Sequence, residues 1–431
     1  MKCKLQRNKK YVVWGNPCLY LRSIVWSPFL KVPLYFAPWG KEELIMAINL
    51  FLGKRKHYNT NYISRLKETI AKKFNSPNIF LFSSGREAIK FALKLVELKQ
   101  DEEVILPSLA CTSILEPILD FKAIPVFVDV DKNLNIDPED VEVKISPKTK
   151  VIIAPHLYGN PAQIEKLSEI AERRKIFLID DAAQAPGINY KNRYLGTWGD
   201  FGILSFGFGK PIFGIGGGAL IVNNQNFLFS AKNEYKKLLP EDESEASKRA
   251  WKILMKGRFR TITFMPFLLK RCLSFKQKES YTFLRQSFNI IPRKISNISS
   301  FYALKAVYNL DYCINNCLHN TKALLLKFKS LKGIKYIYSG QKDSFFWRLP
   351  IFIENNIDGN AFLCFLYRHG IEAEPIYTPL HFQVSDSVKL PKTEYLYDKT
   401  FLLSLCSKMT PDLINFVFKV LEKYENYSFK L

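Results

Sequence analysis

One lysine of the chain lies between two glycine-rich runs. Lys210 ends the stretch Ser205-Phe-Gly-Phe-Gly-Lys and is followed, after three residues, by the run from Gly214 to Gly218. Glycines let a backbone approach a ligand closely. A lysine held at such a place can form a Schiff base with a carbonyl compound. The pattern therefore predicts a reactive lysine, although most lysines in loops are surface charges.

Two other interpretations of this stretch fail on spacing and context. A phosphate-binding loop of the Gly-x4-Gly-Lys-Ser/Thr type needs glycine at position 204 and a hydroxyl residue at 211, where the chain has Leu204 and Pro211. The run from Gly214 to Ala219 matches a dinucleotide-binding motif by letter, but it precedes a predicted strand instead of following one. A nicotinamide-dependent oxidoreductase is therefore excluded.

Two neighbouring acids could hold a cationic ring. Asp180 and Asp181 end an apolar run and are followed by Ala-Ala-Gln184. Side chains alternate between the two faces of a strand, so only one of the acids needs to face a site. In pyridoxal phosphate (PLP) chemistry such a carboxylate keeps the pyridine nitrogen protonated. Capping of the next turn is an equally good interpretation of Asp181.

The run Ser83-Ser84-Gly85-Arg86 opens a predicted helix. The first amides of a helix and the positive end of its dipole suit a phosphate group. An ordinary serine cap is the simpler interpretation when this run is taken alone.

These residues are positioned by alternating strands and helices between residues 78 and 224. Strands are predicted at 78–82, 103–106, 124–130, 151–155, 175–180, 201–206 and 219–222, and helices at 86–99, 112–121 and 161–174, the last capped by Asn160. The alternation predicts an α/β domain with a mainly parallel sheet covered on both faces. Ligands bind at the carboxyl edge of such sheets, and four polar positions fall there: Ser84-Gly85, His156, Asp181 and Ser205.

Four segments are predicted along the chain. They are an N-terminal segment (1–45), a large α/β domain (46–240), a basic and apolar insertion (241–292), and a smaller α+β domain (293–431). The last contains a long helix predicted over 296–326, a strand over 345–353 and helices over 358–369 and 411–424.

Composition limits the class of protein. The chain has 431 residues, of which 47% are hydrophobic, and its net charge is +23. No apolar run reaches the roughly 18 residues of a membrane span, and no nucleic-acid motif accompanies the positive charge. The eight cysteines have neither metal-site nor disulfide-framework spacing. We expect no metal, no nucleic acid partner and free thiols in a reducing cytoplasm.

The stretch 248–278 combines basic residues with large apolar residues. It holds ten Lys and Arg residues and no Asp or Glu, interleaved with large apolar residues such as Trp251, Phe259 and Phe267. This composition is typical of a segment lying on a membrane surface. An insertion packed on the main domain with its charges in water is favoured, because it is the commoner arrangement. The expected location is the cytoplasm, with peripheral contact to the inner membrane face as the alternative.

From Ser84 to Val222 the chain resembles the DegT-type sugar aminotransferases of PLP fold type I. The resemblance continues into the C-terminal part, and it is carried by the following stretches: 102–108, 125–129, 156–159, 181–185, 205–218, 370–371, 377–381 and 390–394. Each stretch alone is weak, but together they stand in family order over most of the chain.

The resemblance implies a role for each matching residue. Lys210 resembles the Schiff-base lysine, Asp181 the partner of the pyridine nitrogen, and Gln184 the contact to the ring hydroxyl. Ser205 and the backbone amides of Gly85 and Arg86 resemble the phosphate site. The remaining matches are the region of Asn297, which would reach the phosphate of a neighbouring subunit in a homodimer, and a substrate-contacting pair, Tyr377 and His381.

Two positions depart from the family pattern. Arg86 stands where the family usually has threonine, and Cys111 where it usually has an aromatic residue stacked on the pyridine ring. Sulfur is a weaker platform for a ring than an aromatic face. Both departures leave open a PLP-binding regulatory or scaffold protein without turnover.

The resemblance favours an enzyme. It implies ping-pong transfer of an amino group, with L-glutamate as donor, to a keto group of a nucleotide-linked sugar. A PLP-dependent sugar deoxygenating enzyme is the remaining alternative, but that sister class has histidine at the position of Lys210.

Overall fold

The structure of the chain is a computed structural model that describes residues 32, 39–53, 60–260, 288–337, 344–354, 359–384, 387–405 and 407–428. Two sheets divide these residues into a large and a small unit. The fold is the α/β architecture that the sequence predicts, with a mainly parallel central sheet between helices.

The large sheet has seven strands. They are β1 (Ile79–Phe82), β2 (Glu103–Pro107), β3 (Ile124–Val128), β4 (Thr149–Pro155), β5 (Phe177–Asp181), β8 (Phe201–Ser205) and β9 (Gly218–Val222), and a separate hairpin is formed by β6 (Asn189–Tyr190) and β7 (Arg193–Tyr194). The order across the sheet is β1-β9-β8-β5-β4-β2-β3. Strands β8, β5, β4, β2 and β3 pair in parallel, and β9 is antiparallel to both of its neighbours. All strands except β9 therefore end at one edge.

Helices cover both faces of this sheet. The helices of the large unit, of which α1 and α8 pack in a separate cluster away from the sheet, are α1 (Lys41–Phe51), α2 (Tyr62–Phe74), α3 (Gly85–Leu95), α4 (Thr112–Asp120), α5 (Pro138–Lys144), α6 (Ile164–Arg174), α7 (Leu228–Lys236), α8 (Glu243–Arg260) and α9 (Asn297–Tyr308). Alternate residues of one strand enter different hydrophobic clusters: Ile152 lies in one, and Val151 and Ile153 lie in the other. Burial on both faces explains why the strands are continuous apolar runs.

The small unit is α+β, as predicted. It contains α10 (Leu310–Phe328), β10 (Ile334–Tyr336), β11 (Arg348–Ile353), α11 (Gly359–Arg368), β12 (Ala373–Pro375), α12 (His381–Val384), α13 (Pro391–Lys399), β13 (Thr400–Ser404) and α14 (Pro411–Ser428). Its four strands form an antiparallel sheet in the order β10-β11-β13-β12. Leu349, Phe362, Phe401 and Leu421 are buried in its core.

The long helix predicted over 296–326 is two helices. The backbone leaves helical geometry at Asn309, where φ is −91° and ψ is 1°. Helix α9 packs on α2, and its Leu304 and Val307 enter the core of the large sheet, whereas Leu324 of α10 lies in the small core. Helix α9 therefore packs with the large sheet and Leu324 of α10 with the small one, and the division predicted at residue 293 stays a prediction.

The segment predicted as an insertion begins as a packed helix. Ala246, Ala250 and Ile253 of α8 share a buried cluster with Met46 of α1. Residues 261–287 lie outside the described residues, and so does most of the basic stretch 248–278. No helix in the described ranges is long and apolar enough to cross a membrane. In the same ranges, no group of three or more His, Cys, Asp or Glu side chains could hold a metal ion.

Candidate active site

The polar residues predicted to follow strand ends meet at one edge of the large sheet. Asp181 at the end of β5 pairs with Pro155 of β4 on one side and with Ile203 of β8 on the other. Ser205 ends β8 and pairs with Gly218, whose other partner is Phe82 at the end of β1. Residues more than a hundred positions apart in the chain thus form one continuous rim.

The N-terminus of α3 packs closely against Ser205 and Gly218. Ser84 caps the helix, because its side chain accepts a hydrogen bond from the Glu87 amide at 3.3 Å. A Cβ atom on Gly85 would lie 3.2 Å from the Cβ of Ser205, and one on Gly218 would lie 2.5 Å from the Gly85 nitrogen. The first amides of α3 therefore adjoin the Ser205 side chain, as an anion site requires.

Lys210 is held beside the same serine. The Lys210 amide donates to the Gly207 carbonyl at 3.2 Å, and Gly209 before it has a φ of +75°. A Cβ atom on Gly207 would lie 3.6 Å from the Ser205 Oγ and 3.8 Å from the Lys210 Cγ. The glycines of this loop thus allow Lys210 and Ser205 to share one side of the rim.

Asp181 is a buried carboxylate with spare hydrogen-bonding capacity. It is 5% exposed, and its Oδ1 accepts from the Ala183 amide at 2.9 Å. Among the described residues no donor reaches its Oδ2. Burial raises the pKa of Asp181, and the positive charge of Lys210 acts in the opposite direction. The two residues are therefore close enough to interact electrostatically.

Asp180 has a structural role, unlike Asp181. It is fully buried, and it accepts from His156 Nε2 at 2.6 Å, from the Gly196 amide at 2.6 Å and from the Trp198 amide at 2.9 Å. His156 in turn accepts from the Ala162 amide through Nδ1 at 2.9 Å, so its proton lies on Nε2. The sequence left open which acid faces the site. Because Asp180 and His156 are occupied in joining loops, Asp181 is the acid available to a ligand.

Gln184 belongs to a chain of contacts that reaches the small unit. Its Oε1 accepts from the Tyr158 amide at 3.3 Å. The Tyr158 hydroxyl accepts from the Tyr377 amide at 3.2 Å, and the two rings are stacked with centroids 5.6 Å apart. Tyr158 is buried and has a φ of +59°, and burial raises its pKa. No local sequence pattern indicates a role for Tyr158, although it lies in the matching stretch 156–159.

The two unusual residues have local partners. The Arg86 guanidinium forms an ion pair with Glu116 of α4, so its link to the rim is through the backbone amide. Cys111 is the residue before α4, and its sulfur accepts from the Ser113 hydroxyl at 3.0 Å. Cys111 is half-buried.

His381 joins the two units. It is 1% exposed, and its amide donates to Ser108 Oγ at 3.1 Å. Ser108 Oγ and His381 Nδ1 also share a hydrogen bond of 2.6 Å, and His381 Nε2 lies 3.4 Å from the Glu394 carboxylate. Burial lowers the pKa of His381. Contact of this residue with a substrate stays a prediction.

Asn297 binds its own chain. It is the first residue of α9, its Oδ1 accepts from the Tyr62 amide at 2.9 Å, and its Nδ2 donates to the Thr60 carbonyl at 2.7 Å. The side chain thus fixes the start of α2. That this region reaches the phosphate of a neighbouring subunit remains a prediction.

The sequence profile of the DegT/DnrJ/EryC1/StrS aminotransferase family matches residues 39–258, just over half of the chain. The chain belongs to this family. The resemblance drawn from the separate motifs is therefore confirmed. Enzymes of the family use PLP, and the rim fits that cofactor in two respects. The first amides of α3 lie beside Ser205, an arrangement that suits a phosphate group, and buried Asp181 has one carboxylate oxygen without a hydrogen bond among the described residues.

Among curated relatives, the GDP-perosamine synthase of Escherichia coli O157:H7 is 35% identical over 170 residues, which are 39% of this chain and 46% of that enzyme. The chain spans about half the length of the curated relatives it matches.

Two solved structures share the fold over nearly the whole chain. Helicobacter pylori PseC, an aminotransferase involved in pseudoaminic acid biosynthesis, superposes with a TM-score of 0.73 at 16% identity, covering 92% of this chain and 99% of PseC. The Escherichia coli GDP-4-keto-6-deoxy-D-mannose-3-dehydratase superposes with a TM-score of 0.70 at 20% identity, covering 91% of this chain and all of the dehydratase. At these identities the likeness shows the fold alone, which both chemistries share.

Proposed function

We propose that the protein is a PLP-dependent aminotransferase, which moves an amino group from L-glutamate to a keto group of a nucleotide-linked sugar. The observation that carries the proposal is the position of Lys210 in the loop after β8, near buried Asp181 at the end of the neighbouring strand β5, where the charge of the lysine acts on the carboxylate. A reactive amine and a buried carboxylate are the two groups that this chemistry requires of the protein.

Each residue of the rim has a separate task. The amides of Gly85 and Arg86 and the Ser205 hydroxyl bind phosphate, and Gln184 contacts the ring hydroxyl. Asp181 Oδ2 keeps the proton on the pyridine nitrogen, and that positive charge offsets the effect of burial on the carboxylate. When bound, PLP supplies an electron sink for charge on the substrate carbon. Lys210 Nζ removes a proton from that carbon and later returns one.

The identity of residue 210 separates transamination from deoxygenation. The sister class that removes a hydroxyl group has histidine at this position, whereas this chain has lysine. A nucleotide-linked acceptor is supported by the name of the matched GDP-perosamine synthase, and the net charge of +23 suits a diphosphate. Tyr377 and His381 are the residues we assign to the sugar side of the site.

We propose further that the enzyme is a homodimer in the cytoplasm. In PLP fold type I the active site lies at a subunit interface, so the Asn297 region of one subunit would complete the phosphate site of the other. The free thiols of Cys111 and Cys313 are compatible with a reducing compartment.

The proposal is tested by trapping the cofactor. Purified protein should be yellow, and borohydride followed by peptide mapping should place the cofactor on Lys210. Lys210→Ala should abolish transfer from L-glutamate to a panel of keto nucleotide-sugars. Lys191→Ala, at an exposed lysine paired with Glu165, is the matched control and should leave both results unchanged. Protein that stays colourless with added PLP would end the aminotransferase proposal.

A further inference from the structure

Arg249 of helix α8 reaches the glycine run that follows Lys210. Its Nε donates to the Ile215 carbonyl at 3.0 Å. The guanidinium lies flat against Gly216, where an added Cβ atom would come within 3.2, 3.4 and 3.5 Å of three guanidinium atoms. Although Arg249 belongs to the segment predicted as an insertion, it therefore contacts the backbone beside the reactive lysine.

The glycine run connects the two halves of the proposed phosphate site. The Gly217 amide donates to the carbonyl of Ser83, which directly precedes the cap of α3, at 2.8 Å. The Gly216 amide donates to the Phe206 carbonyl at 3.2 Å, and Phe206 follows Ser205 in the chain. The backbone at 215–217 thus joins the start of α3 to the end of β8.

Arg249 is itself held from the opposite side. Its guanidinium forms an ion pair with Glu241 and donates to the Ser299 hydroxyl at 3.2 Å. Glu241 is buried, and its other oxygen accepts from the Ser296 amide at 3.2 Å and from the Ser299 hydroxyl at 3.0 Å. A guanidinium presents several N–H donors in one plane, so it binds the acid and the carbonyl together. The start of α9 therefore fixes the arginine that holds the glycine run.

We propose that Arg249 is a positioning residue for the phosphate group of the cofactor. This role rests on the proposed function, because the ligand is the phosphate of PLP. Arg249 acts through the backbone: it fixes the Ile215 carbonyl, and the next two amides hold the start of α3 beside Ser205. A site that is ordered before the ligand arrives loses less conformational freedom on binding, so its affinity is higher.

The effect is one of position more than of charge. Glu241 offsets the positive charge of Arg249, and the hydrogen bond to Ile215 is the contact directed at the rim. A role confined to the packing of α8 would make a different prediction. It would change the free energy of unfolding and would leave unchanged the preference of the protein for a phosphorylated ligand.

The test compares two ligands that differ by the phosphate. The purified full chain is freed of cofactor with hydroxylamine and titrated with PLP and with pyridoxal, which has the same ring and aldehyde. The absorbance of the yellow complex gives both dissociation constants. Arg249→Met keeps an unbranched side chain and removes the donors. We expect it to weaken PLP binding by about tenfold or more and pyridoxal binding by less than about threefold.

Arg249→Lys separates position from charge and from folding. Lysine keeps a positive charge beside Glu241, but its ammonium lacks the planar fork that binds an acid and a carbonyl together. The urea midpoint should stay near the wild-type value, while PLP binding weakens as in Arg249→Met. The urea midpoint of Arg249→Met itself should fall, because buried Glu241 loses its cation.

Arg174→Met is the matched control. Arg174 is also paired with an acid of the large unit, Glu142, and both side chains are partly exposed. This variant should bind PLP and pyridoxal like the wild type.

Four results would overturn the positioning role and leave the proposed function intact. They are wild-type PLP affinity in both Arg249 variants, equal losses for PLP and pyridoxal, a loss of the same size in Arg174→Met, and a wild type that binds the two ligands equally well. In each case the wild-type protein still turns yellow with PLP and reacts with L-glutamate. Wild-type protein that binds neither ligand would instead end the proposed function, and the positioning role with it.

Discussion

Replacement of Asp181 by asparagine is the most informative single change at the rim. Asp181→Asn nearly preserves shape and keeps an oxygen for the Ala183 amide, but it removes the negative charge. Without that charge a proton on the pyridine nitrogen is no longer stabilised, so the cofactor becomes a weaker electron sink. PLP itself should still bind, through the phosphate site and Lys210.

The size of the effect follows from the buried position of the carboxylate. A carboxylate and a cationic nitrogen at a hydrogen-bond distance of about 3 Å attract each other by roughly 5 kcal/mol at an effective dielectric constant of about 20. The amide dipole of asparagine replaces part of this attraction. We therefore expect the rate of reaction with L-glutamate to fall by about 10² to 10⁴, which corresponds to about 3 to 5 kcal/mol.

Asp180→Asn is the matched control, because it makes the same chemical change one residue earlier. Asp180 accepts hydrogen bonds from His156 and from the amides of Gly196 and Trp198. An asparagine has one acceptor oxygen and places an NH₂ group against these donors, and each buried donor left unpaired costs about 1 to 3 kcal/mol. This variant should lose free energy of unfolding in urea titrations, while its folded fraction reacts with L-glutamate at nearly the wild-type rate.

The assay needs no knowledge of the sugar. Addition of L-glutamate to the yellow protein converts the cofactor in a single turnover, and stopped-flow absorbance gives its rate constant for each variant. A near-normal rate for Asp181→Asn, together with a large loss for a stable Asp180→Asn, would refute the assignment and exchange the roles of the two acids.

Three further outcomes are expected. Gly159→Ala should destabilise the fold by about 2 to 4 kcal/mol, because Gly159 has a φ of +90° and an added Cβ would overlap the Phe345 carbonyl oxygen; an unchanged urea midpoint would contradict this. Burial lowers the pKa of His381 below 6.5, so the unfolded chain takes up a proton first and stability is lost as the pH falls below about 6.5. Urea titrations at pH 7.5 and 5.5 should show a smaller loss for His381→Gln than for the wild type, and equal losses would exclude His381 as a cause. Light scattering should give about twice the chain mass of 50.0 kDa, and a fully active monomer would contradict the dimer.

Local sequence patterns predicted the strands well, because burial on both faces produces apolar runs that few other elements share. The predicted strand at 103–106 is β2, and the run ending at Asp180 and Asp181 is β5. The helix predicted from Pro161 begins at Ile164 instead. Asn160 does not cap it, because its buried side chain donates to the Asn133 carbonyl. That carbonyl comes from a distant loop, which no local pattern reveals.

Tertiary contacts also decide which residues of the rim face a ligand and which are structural. His156 follows the end of β4 and Asp181 is the last residue of β5, and their sequence positions do not distinguish a ligand-facing residue from a structural one. The distinction comes from Ala162 and Asp180, which occupy both nitrogens of His156. The role of Tyr158 could not be predicted from its sequence position either, because it depends on the contacts to Gln184 and Tyr377.

Arg86 has a structural role that does not involve phosphate. Its ion pair with Glu116 is repeated one helical turn later by the pair of Lys90 and Asp120, so the two form a ladder between α3 and α4. A residue in this ladder directs its side chain toward α4 and leaves its backbone amide at the start of α3. Because the amide is what a helix N-terminus offers to an anion, exchange of the usual threonine for Arg86 removes one hydroxyl contact and retains the dipole and the amide. In the proposed phosphate site, backbone groups and Ser205 would therefore supply the contacts, and the close packing of Gly85 against Ser205 would hold these groups together.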